Sequence, residues 1–287
     1  MKAIRRATSL AALAALCLVA SCAWRLYTGD VHPSVEEMQG PNMSVADDGT
    51  VTWIRERLEV RLRPVTDDEL NRQFGGGDLG PYSDNPFTYG GVEDFYTGDK
   101  QQRFAVFMLG VKNYQYPKVR VLGDVALESS NERSYYDLTI AQLDRYFRVY
   151  ALGYRGNEYG VYKERRAILQ STMFRRQDIF SGQELEGYVL FQPLHTDVSS
   201  MVVTVKDLAI RFDYRGEPVE SVDIPFRFER EIGREFPDGR VELSERYTRQ
   251  IAAIRQDTNS LCVCARPEGP HLPGGSVLYG RSRRAGR

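Results

Sequence analysis

The chain has 287 residues, with 38 basic and 39 acidic side chains and a formal net charge of −1 at pH 7. This near-neutral balance provides no electrostatic argument for nucleic-acid binding, and we expect no nucleic-acid partner. The length permits one large domain or two small ones, each with a substantial core. Tyrosines (17) and phenylalanines (13) are numerous and often alternate with other residues, which favours β structure.

The N-terminal segment has the pattern of a bacterial export signal. A basic region, an apolar run and a pair of small residues come in this order: Lys2, Arg5 and Arg6; Leu10–Ala20; Ala20 and Ser21. The apolar run is shorter than the roughly 20 residues that a transmembrane helix needs. A soluble N-terminal helix is the other alternative, and the cations, the lack of acids and the cysteine that follows disfavour it.

The quartet Val19-Ala20-Ser21-Cys22 resembles the lipobox of bacterial lipoproteins. In that family the cysteine thiol is acylated and the signal peptide is then removed in front of it. The resemblance implies a signal peptide over residues 1–21, lipidation at Cys22 and a lipid bilayer as partner. The next residue is Ala23, whereas an aspartate there tends to hold such lipoproteins at the inner membrane. The resemblance therefore implies a location in the bacterial cell envelope, at the outer membrane.

The other cysteines indicate no cofactor. Cys17 lies in the predicted signal peptide, and Cys262 and Cys264 lie near the C-terminus with His271 as the nearest further ligand. A structural metal site needs three or four ligands, so a disulfide or a pair of free thiols is favoured over a metal. We expect no metal and no cofactor other than the acyl anchor.

Turn-forming residues dominate the segment 22–50, which predicts a tether between membrane and fold. From Val51 the pattern becomes alternating, and the apolar residues Leu58, Val60 and Leu62 predict a strand with one solvated face that ends at Pro64. The acidic turn that follows Pro64 predicts a cap for a short helix over residues 70–74.

Residues 75–100 are rich in glycine and proline and predict a long irregular loop. Loops of this length are often functional. The loop contains five aromatic residues that are candidate binding residues: Tyr82, Phe87, Tyr89, Phe95 and Tyr96. The alternative, which we favour slightly, is that the loop folds back to cover the end of the β structure.

The remainder of the chain predicts two β blocks around a helical insertion. The nearly continuous apolar run Phe104–Val111 predicts a central strand that is buried on both faces. Apolar residues at helical spacing predict an insertion over about 139–174. Further strands are predicted at 188–191, 201–205, 208–214 and 224–228. A charged amphipathic segment over 231–260 suggests a helix, and the tail 261–287 is predicted to be disordered.

Three features together resemble the immunoglobulin-like sandwich of many bacterial envelope lipoproteins: the strand over 104–113, the motif Gly-x-x-x-x-Gly-Tyr-Val-x-Phe-x-Pro over 182–193, and the closing strands. The resemblance covers residues 51–230 and includes no catalytic motif. The predicted fold class is mainly β: an immunoglobulin-like antiparallel β-sandwich with a helical insertion, preceded by a signal peptide and a tether.

The sequence contains no recognisable catalytic constellation. His195 is the single histidine within the predicted fold, no Gly-x-Ser-x-Gly motif is present, and the glycines at 75–77 precede Asp78 instead of a phosphate-binding lysine. We predict a non-enzymatic binding or structural module whose partner is an envelope protein or glycan. The alternative is a periplasmic enzyme, or an accessory subunit of one, that uses carboxylates near the loop 75–100. That alternative predicts a concave pocket in which acids gather.

Overall fold

The structure is a computed structural model that describes residues 24–74, 85–87, 104–153 and 159–244. The strands are β1 (Arg25–Thr28), β2 (His32–Pro33), β3 (Met43–Val45), β4 (Val51–Arg55), β5 (Leu58–Val65), β6 (Ala105–Asn113), β7 (Lys118–Val121), β8 (Val125–Ser129), β9 (Ser134–Tyr136), β10 (Ile179–Phe180), β11 (Glu184–Phe191), β12 (Ser200–Phe212), β13 (Pro218–Glu229), β14 (Ile232–Glu235) and β15 (Val241–Leu243). The helices are α1 (Asp67–Phe74), α2 (Ile140–Gly153) and α3 (Tyr159–Thr172), and a 3₁₀ turn covers Glu36–Met38.

Five strands form the first sheet, in the order β11-β6-β5-β4-β3, and all neighbours are antiparallel. The central strand β6 is buried along its length, apart from the half-buried Met108 and Lys112. This confirms the prediction of a strand that is covered on both faces. Helix α1 is confirmed but begins at Asp67, three residues before the predicted start, so the acidic residues form its first turn. Thr66 caps it, because the Glu69 N–H donates to Thr66 Oγ1 at 3.3 Å.

The prediction that Pro64 ends its strand is wrong, because β5 continues to Val65 and Pro64 lies opposite Phe107 of β6. The neighbouring strand β4 reaches only as far as Leu62 in the register. Beyond Leu62 the backbone of β5 therefore has a strand on one side and an open edge on the other. A proline is tolerated at such an edge because its missing N–H removes no ladder hydrogen bond there.

The second sheet has the order β10-β7-β12-β13-β2, and the β8–β9 hairpin joins it through β12. Its longest strand, β12, replaces the two strands that were predicted at 201–205 and 208–214. A register shift between Val205 and Leu208 interrupts its pairing with β13, and Asp207 there has a φ of 51°. A bulge of this kind bends a strand without ending it, which explains why the apolar alternation breaks while the strand continues.

The two sheets face each other across a single apolar core, and the chain is therefore mainly β with two packed antiparallel sheets. Three phenylalanines lie at its centre. The ring of Phe107 lies 5.8 Å from that of Phe191 and 5.1 Å from that of Phe228, and both pairs are edge-to-face. Edge-to-face contacts add stability beyond the area that the rings bury.

The helices cover the other face of the first sheet, and the predicted helical insertion is confirmed as α2 and α3. A second apolar core lies between these helices and the sheet, and its fully or largely buried members include Leu70, Val106, Leu143, Leu169, Tyr188 and Leu190. The first sheet is thus the middle of three layers. This position explains why both faces of β6 are apolar.

The predicted tether over 22–50 is wrong for its described part, because three strands within residues 24–50 pair into the sheets. β1 pairs with β14, which also pairs with β15, in a small third sheet. β2 adds to the second sheet and β3 to the first. These strands have two to four residues, too few to show an apolar period. The partners of β1 and β2 lie about 200 residues away in the sequence, whereas β3 forms a hairpin with β4.

The helix suggested over 231–260 is also wrong for its described part, since β14 and β15 form a hairpin. Gly239 lies in the turn with a φ of 79°, and the Phe236 N–H donates to Arg240 O at 2.9 Å. The pair Asp238-Gly239 is a strong local hairpin signal that outweighs the amphipathic pattern around it. The predictions for residues 245–287 lie outside the described residues.

Candidate functional site: a cleft at the base of the helical insertion

Both ends of the helical insertion are fastened to edges of the sandwich. At its start, the Asp137 N–H donates to Val125 O of the second sheet at 3.1 Å, and the Leu138 N–H donates to Leu190 O of the first sheet at 2.8 Å. At its end, the Phe174 N–H donates to Tyr188 O at 3.0 Å. The entering and returning chains therefore meet at the same open edge between the two sheets.

A capping box fixes the start of α2. The Thr139 N–H donates to Gln142 Oε1 at 2.8 Å, and the Gln142 N–H donates to Thr139 Oγ1 at 3.3 Å. The reciprocal bonds satisfy backbone donors that the first helical turn leaves without partners. The local sequence Thr139-Ile140-Ala141-Gln142 therefore fixes where α2 begins.

Glycine is required at two positions of the motif over 182–193, for a different structural reason at each. Gly182 has a φ of 79° in the turn before β11, a conformation that L residues other than glycine rarely adopt. A Cβ on Gly187 would lie 2.4 Å from the backbone nitrogen of Phe174. Glycine at 187 therefore permits the returning chain of the insertion to run directly against β11.

A cleft of about 340 Å³ lies where these segments meet. This volume is within the range of small-ligand and side-chain pockets. Its lining is largely apolar, and Asp137, Thr139, Arg175 and Arg176 supply polar groups; the apolar lining residues are Val125, Leu138, Ile140, Ala141, Met173, Phe174 and Val189.

The pair Asp137–Arg176 is the fixed charged group of this cleft. The carboxylate of Asp137 accepts from the Arg176 guanidinium and, at 3.2 Å, from the Val125 N–H. Arg176 also donates through Nε to Gly123 O at 3.1 Å, and its Nη2 lies 3.5 Å from Asp124. The side chain of Asp137 is 11% exposed and that of Arg176 is 32% exposed. Together these bonds hold the guanidinium at the cleft with little freedom to move.

Burial raises the pKa of Asp137 above its ordinary value, and this effect outweighs the opposing attraction of Arg176. The cleft contains one carboxylate, whereas acid–base hydrolysis with paired carboxylates needs two within a few ångströms of the reacting bond. Within the described residues, no three histidine, cysteine or acidic side chains come together in a group that could hold a metal. The arrangement is suited to binding a partly apolar group with one hydrogen-bonding end.

Of the five aromatic residues that were predicted to bind a partner, the structure describes Phe87. This side chain is fully buried, and its ring lies 5.4 Å from Phe74 and 5.0 Å from Tyr188. Phe87 is therefore a core residue, and its assignment as a binding residue is wrong, because a side chain without exposed surface cannot contact a partner. The other four candidates, Tyr82, Tyr89, Phe95 and Tyr96, lie outside the described residues, as do Cys22, Cys262, Cys264 and His271.

His195 lies in a polar cluster with structural contacts. Its Nδ1 is 2.9 Å from the Tyr135 hydroxyl, and its backbone carbonyl accepts from the guanidinium of Arg230. Arg230 is 3% exposed and also donates to Val198 O at 2.7 Å. These bonds tie the β11–β12 connection to the end of β13, which indicates a structural role for both residues.

Sequence reasoning missed Asp137, Arg176 and Arg230. Asp137 lies two residues before a capping-box threonine, and Arg176 follows the last helical apolar residue of the insertion. Because the two ends of an insertion return to neighbouring points, the sequence could have predicted that these two flanking charged residues pair. The sequence contains no comparable signal for Arg230, whose partners are backbone carbonyls.

No family model, curated protein or solved structure matches this chain. Within the described residues, none of the helices combines the length and apolar content that a membrane span requires.

Proposed function

We propose that this chain is a lipid-anchored protein of the bacterial envelope whose sandwich is a non-enzymatic binding module. The observation that carries the proposal is the quartet Val19-Ala20-Ser21-Cys22 directly in front of a folded domain, which begins with β1 at Arg25. More than one acyl chain on Cys22 would give stable anchoring, since a single chain binds a bilayer only marginally. Ala23 supports an outer-membrane location.

We also propose that the sandwich is immunoglobulin-like and is preceded by a signal peptide. It is supported by two antiparallel sheets over one core and by connections that change sheet, from β6 to β7 and from β11 to β12. The two-helix insertion and the small third sheet are additions to that plan.

We place the binding site for an envelope protein or glycan at the cleft beside Asp137 and Arg176. Its apolar lining supplies contact area, and the fixed charged pair supplies orientation. Three described carboxylates precede the loop 75–100 on α1, and one of them, Glu69, is held by two hydrogen bonds of 2.7 Å from Arg63, which lower its pKa. An acid engaged in this way supports the binding module over the enzyme alternative.

The anchor is tested with the variant Cys22→Ala and the matched control Cys17→Ala. We expect Cys22→Ala to abolish acylation and to remove the mature lipoprotein from the membrane fraction. Cys17→Ala leaves the quartet intact and should be processed as the parent is. Intact-mass measurement and fractionation provide the readouts. A parent chain with residues 1–21 retained, or with a bare thiol at position 22, would refute the proposal.

The cleft is tested by photo-crosslinking in intact cells. A benzophenone side chain at the exposed cleft residue Ala141 should crosslink to one defined partner. The same group at Val219, which is 56% exposed on β13, serves as the control for random collisions. Equal crosslinking of the same species from both positions would contradict a binding site at the cleft.

A further inference from the structure

The third sheet, β1-β14-β15, lies next to the proposed lipid anchor. Cys22 precedes Trp24 by two residues, and two residues of extended chain span at most about 7 Å. Trp24 and Leu26, immediately before and within β1, therefore lie at most about 7 Å and about 14 Å along the chain from the acylated residue. Because Arg25–Thr28 pair with β14, two residues of chain separate Cys22 from the first strand of this sheet.

One face of this sheet presents apolar side chains to solvent. Leu26 lies opposite Arg234, and Arg234 lies opposite Glu242, so these three side chains share a face. Trp24 belongs to the same face, because the Arg234 guanidinium lies 4.8 Å from its ring centroid. Trp24 is 46% exposed and Leu26 is 60% exposed. We call this surface, formed by Trp24, Leu26 and Arg234, the anchor face.

The composition of the anchor face matches the boundary between lipid headgroups and acyl chains. Tryptophan is enriched at that boundary because its ring is apolar and its N–H is polar. Arginine can extend its guanidinium to phosphate while its aliphatic stem remains among apolar groups. Glu242 balances Arg234 in charge, so the attraction comes from the apolar side chains and depends little on salt.

We propose that the anchor face lies directly on the phospholipid bilayer, with Trp24 and Leu26 inserted at headgroup level, so that the third sheet orients the sandwich on the membrane. The inference rests on the proposed acylation of Cys22. A flexible tether would let the domain reorient freely, whereas the proposed contact holds it in a fixed orientation on the membrane.

Tryptophan fluorescence of the acylated full chain in vesicles tests the proposal. The chain has two tryptophans, and the second, Trp53, is 7% exposed in the core between the sheets. Comparing the parent with Trp24→Phe therefore isolates the emission of Trp24. The vesicles contain phosphatidylcholine and phosphatidylglycerol whose acyl chains carry bromine near the glycerol end. We expect the bromine to quench the Trp24 emission by about half or more, because interfacial tryptophans lie at that depth.

A second variant gives the matched control. Tyr214 is 87% exposed in the turn of the β12–β13 hairpin, at the opposite end from the third sheet. In Trp24→Phe/Tyr214→Trp, the new tryptophan should be quenched by aqueous iodide and not by brominated lipid. In the parent, Trp24 should be quenched by brominated lipid and not by aqueous iodide.

The outcomes separate the two proposals, because intact mass is measured on the same samples. An acylated, vesicle-bound chain whose Trp24 is quenched by iodide and unaffected by bromine would overturn the docking and leave the anchor intact. A chain that carries no acyl group would overturn both. Bromine quenching of Trp24 that persists at high salt would support the docking through apolar contact.

Discussion

Replacing Phe107 by alanine tests the packing of the two sheets. Phe107 is 1% exposed and makes edge-to-face contacts with Phe191 from its own sheet and with Phe228 from the opposite sheet. A buried Phe→Ala substitution costs about 3 to 5 kcal/mol, and each aromatic pair contributes about 0.5 to 1.5 kcal/mol beyond its buried area. We therefore expect a loss near the upper end, about 4 to 5 kcal/mol.

This loss is large compared with the about 5 to 15 kcal/mol that stabilises an ordinary folded protein. In a domain of this size it corresponds to a fall in Tm of about 8 to 20 °C. Urea unfolding followed by circular dichroism measures the free energy of unfolding, and a thermal scan measures the Tm. The control Phe180→Ala removes a ring that is 51% exposed and should cost less than about 1 kcal/mol. An unfolding midpoint for Phe107→Ala equal to that of the parent would refute the proposed core.

Three further predictions concern the contact between β11 and the returning chain of the insertion, the buried arginine and the cleft. Gly187→Ala should destabilise the protein by about 1 to 3 kcal/mol, since the new methyl group would press on the backbone of Phe174, and a wild-type urea midpoint would contradict that contact. Arg230→Met should cost about 3 to 5 kcal/mol because the buried Val198 carbonyl and the partly buried His195 carbonyl lose their charged donor, whereas Arg227→Met, which is exposed on β13, should be nearly neutral in the same urea assay. Burial raises the pKa of Asp137, so the folded protein retains this proton to higher pH than the unfolded chain does. The associated stability is present below the unfolded pKa and is lost as pH rises through the folded pKa. Asp137→Asn should therefore gain stability relative to the parent as the pH rises above the unfolded pKa of about 3.9, and a difference in urea titrations that stays constant as the pH rises from there would count against the raised pKa.

Local patterns were sufficient for the main β blocks and the helical insertion. The alternation of Leu58, Val60 and Leu62 and the apolar run over 104–111 identify strands because neighbouring side chains point to opposite faces. The two helices were predictable because their apolar residues recur at helical spacing. The cap of α1 at Thr66 was also predictable, because a cap forms between residues that are close together in the chain.

Errors arose where distant partners decide the structure. The strands β1 and β2 have too few residues to show a period, and their backbone hydrogen bonds go to partners as far away as residue 235, while β3 was missed because three residues show no period. Phe87 belongs to a loop by composition, yet it is fully buried against Phe74 and Tyr188. No local pattern distinguishes an aromatic ring that covers a core from one that contacts a partner.

The sequence by itself determined the mainly β character and the place of the helical insertion, and it is the basis of the proposed anchor at Cys22, because each depends on residues close together in the chain. The tertiary structure alone decided that Asp137 and Arg176 meet in a cleft, that Arg230 is buried against backbone carbonyls, and that Arg25–Thr28 pair with β14 in the third sheet. These features join segments that are dozens to hundreds of residues apart. Such contacts form only when the whole chain folds, because the apolar faces of the sheets and helices must be buried together.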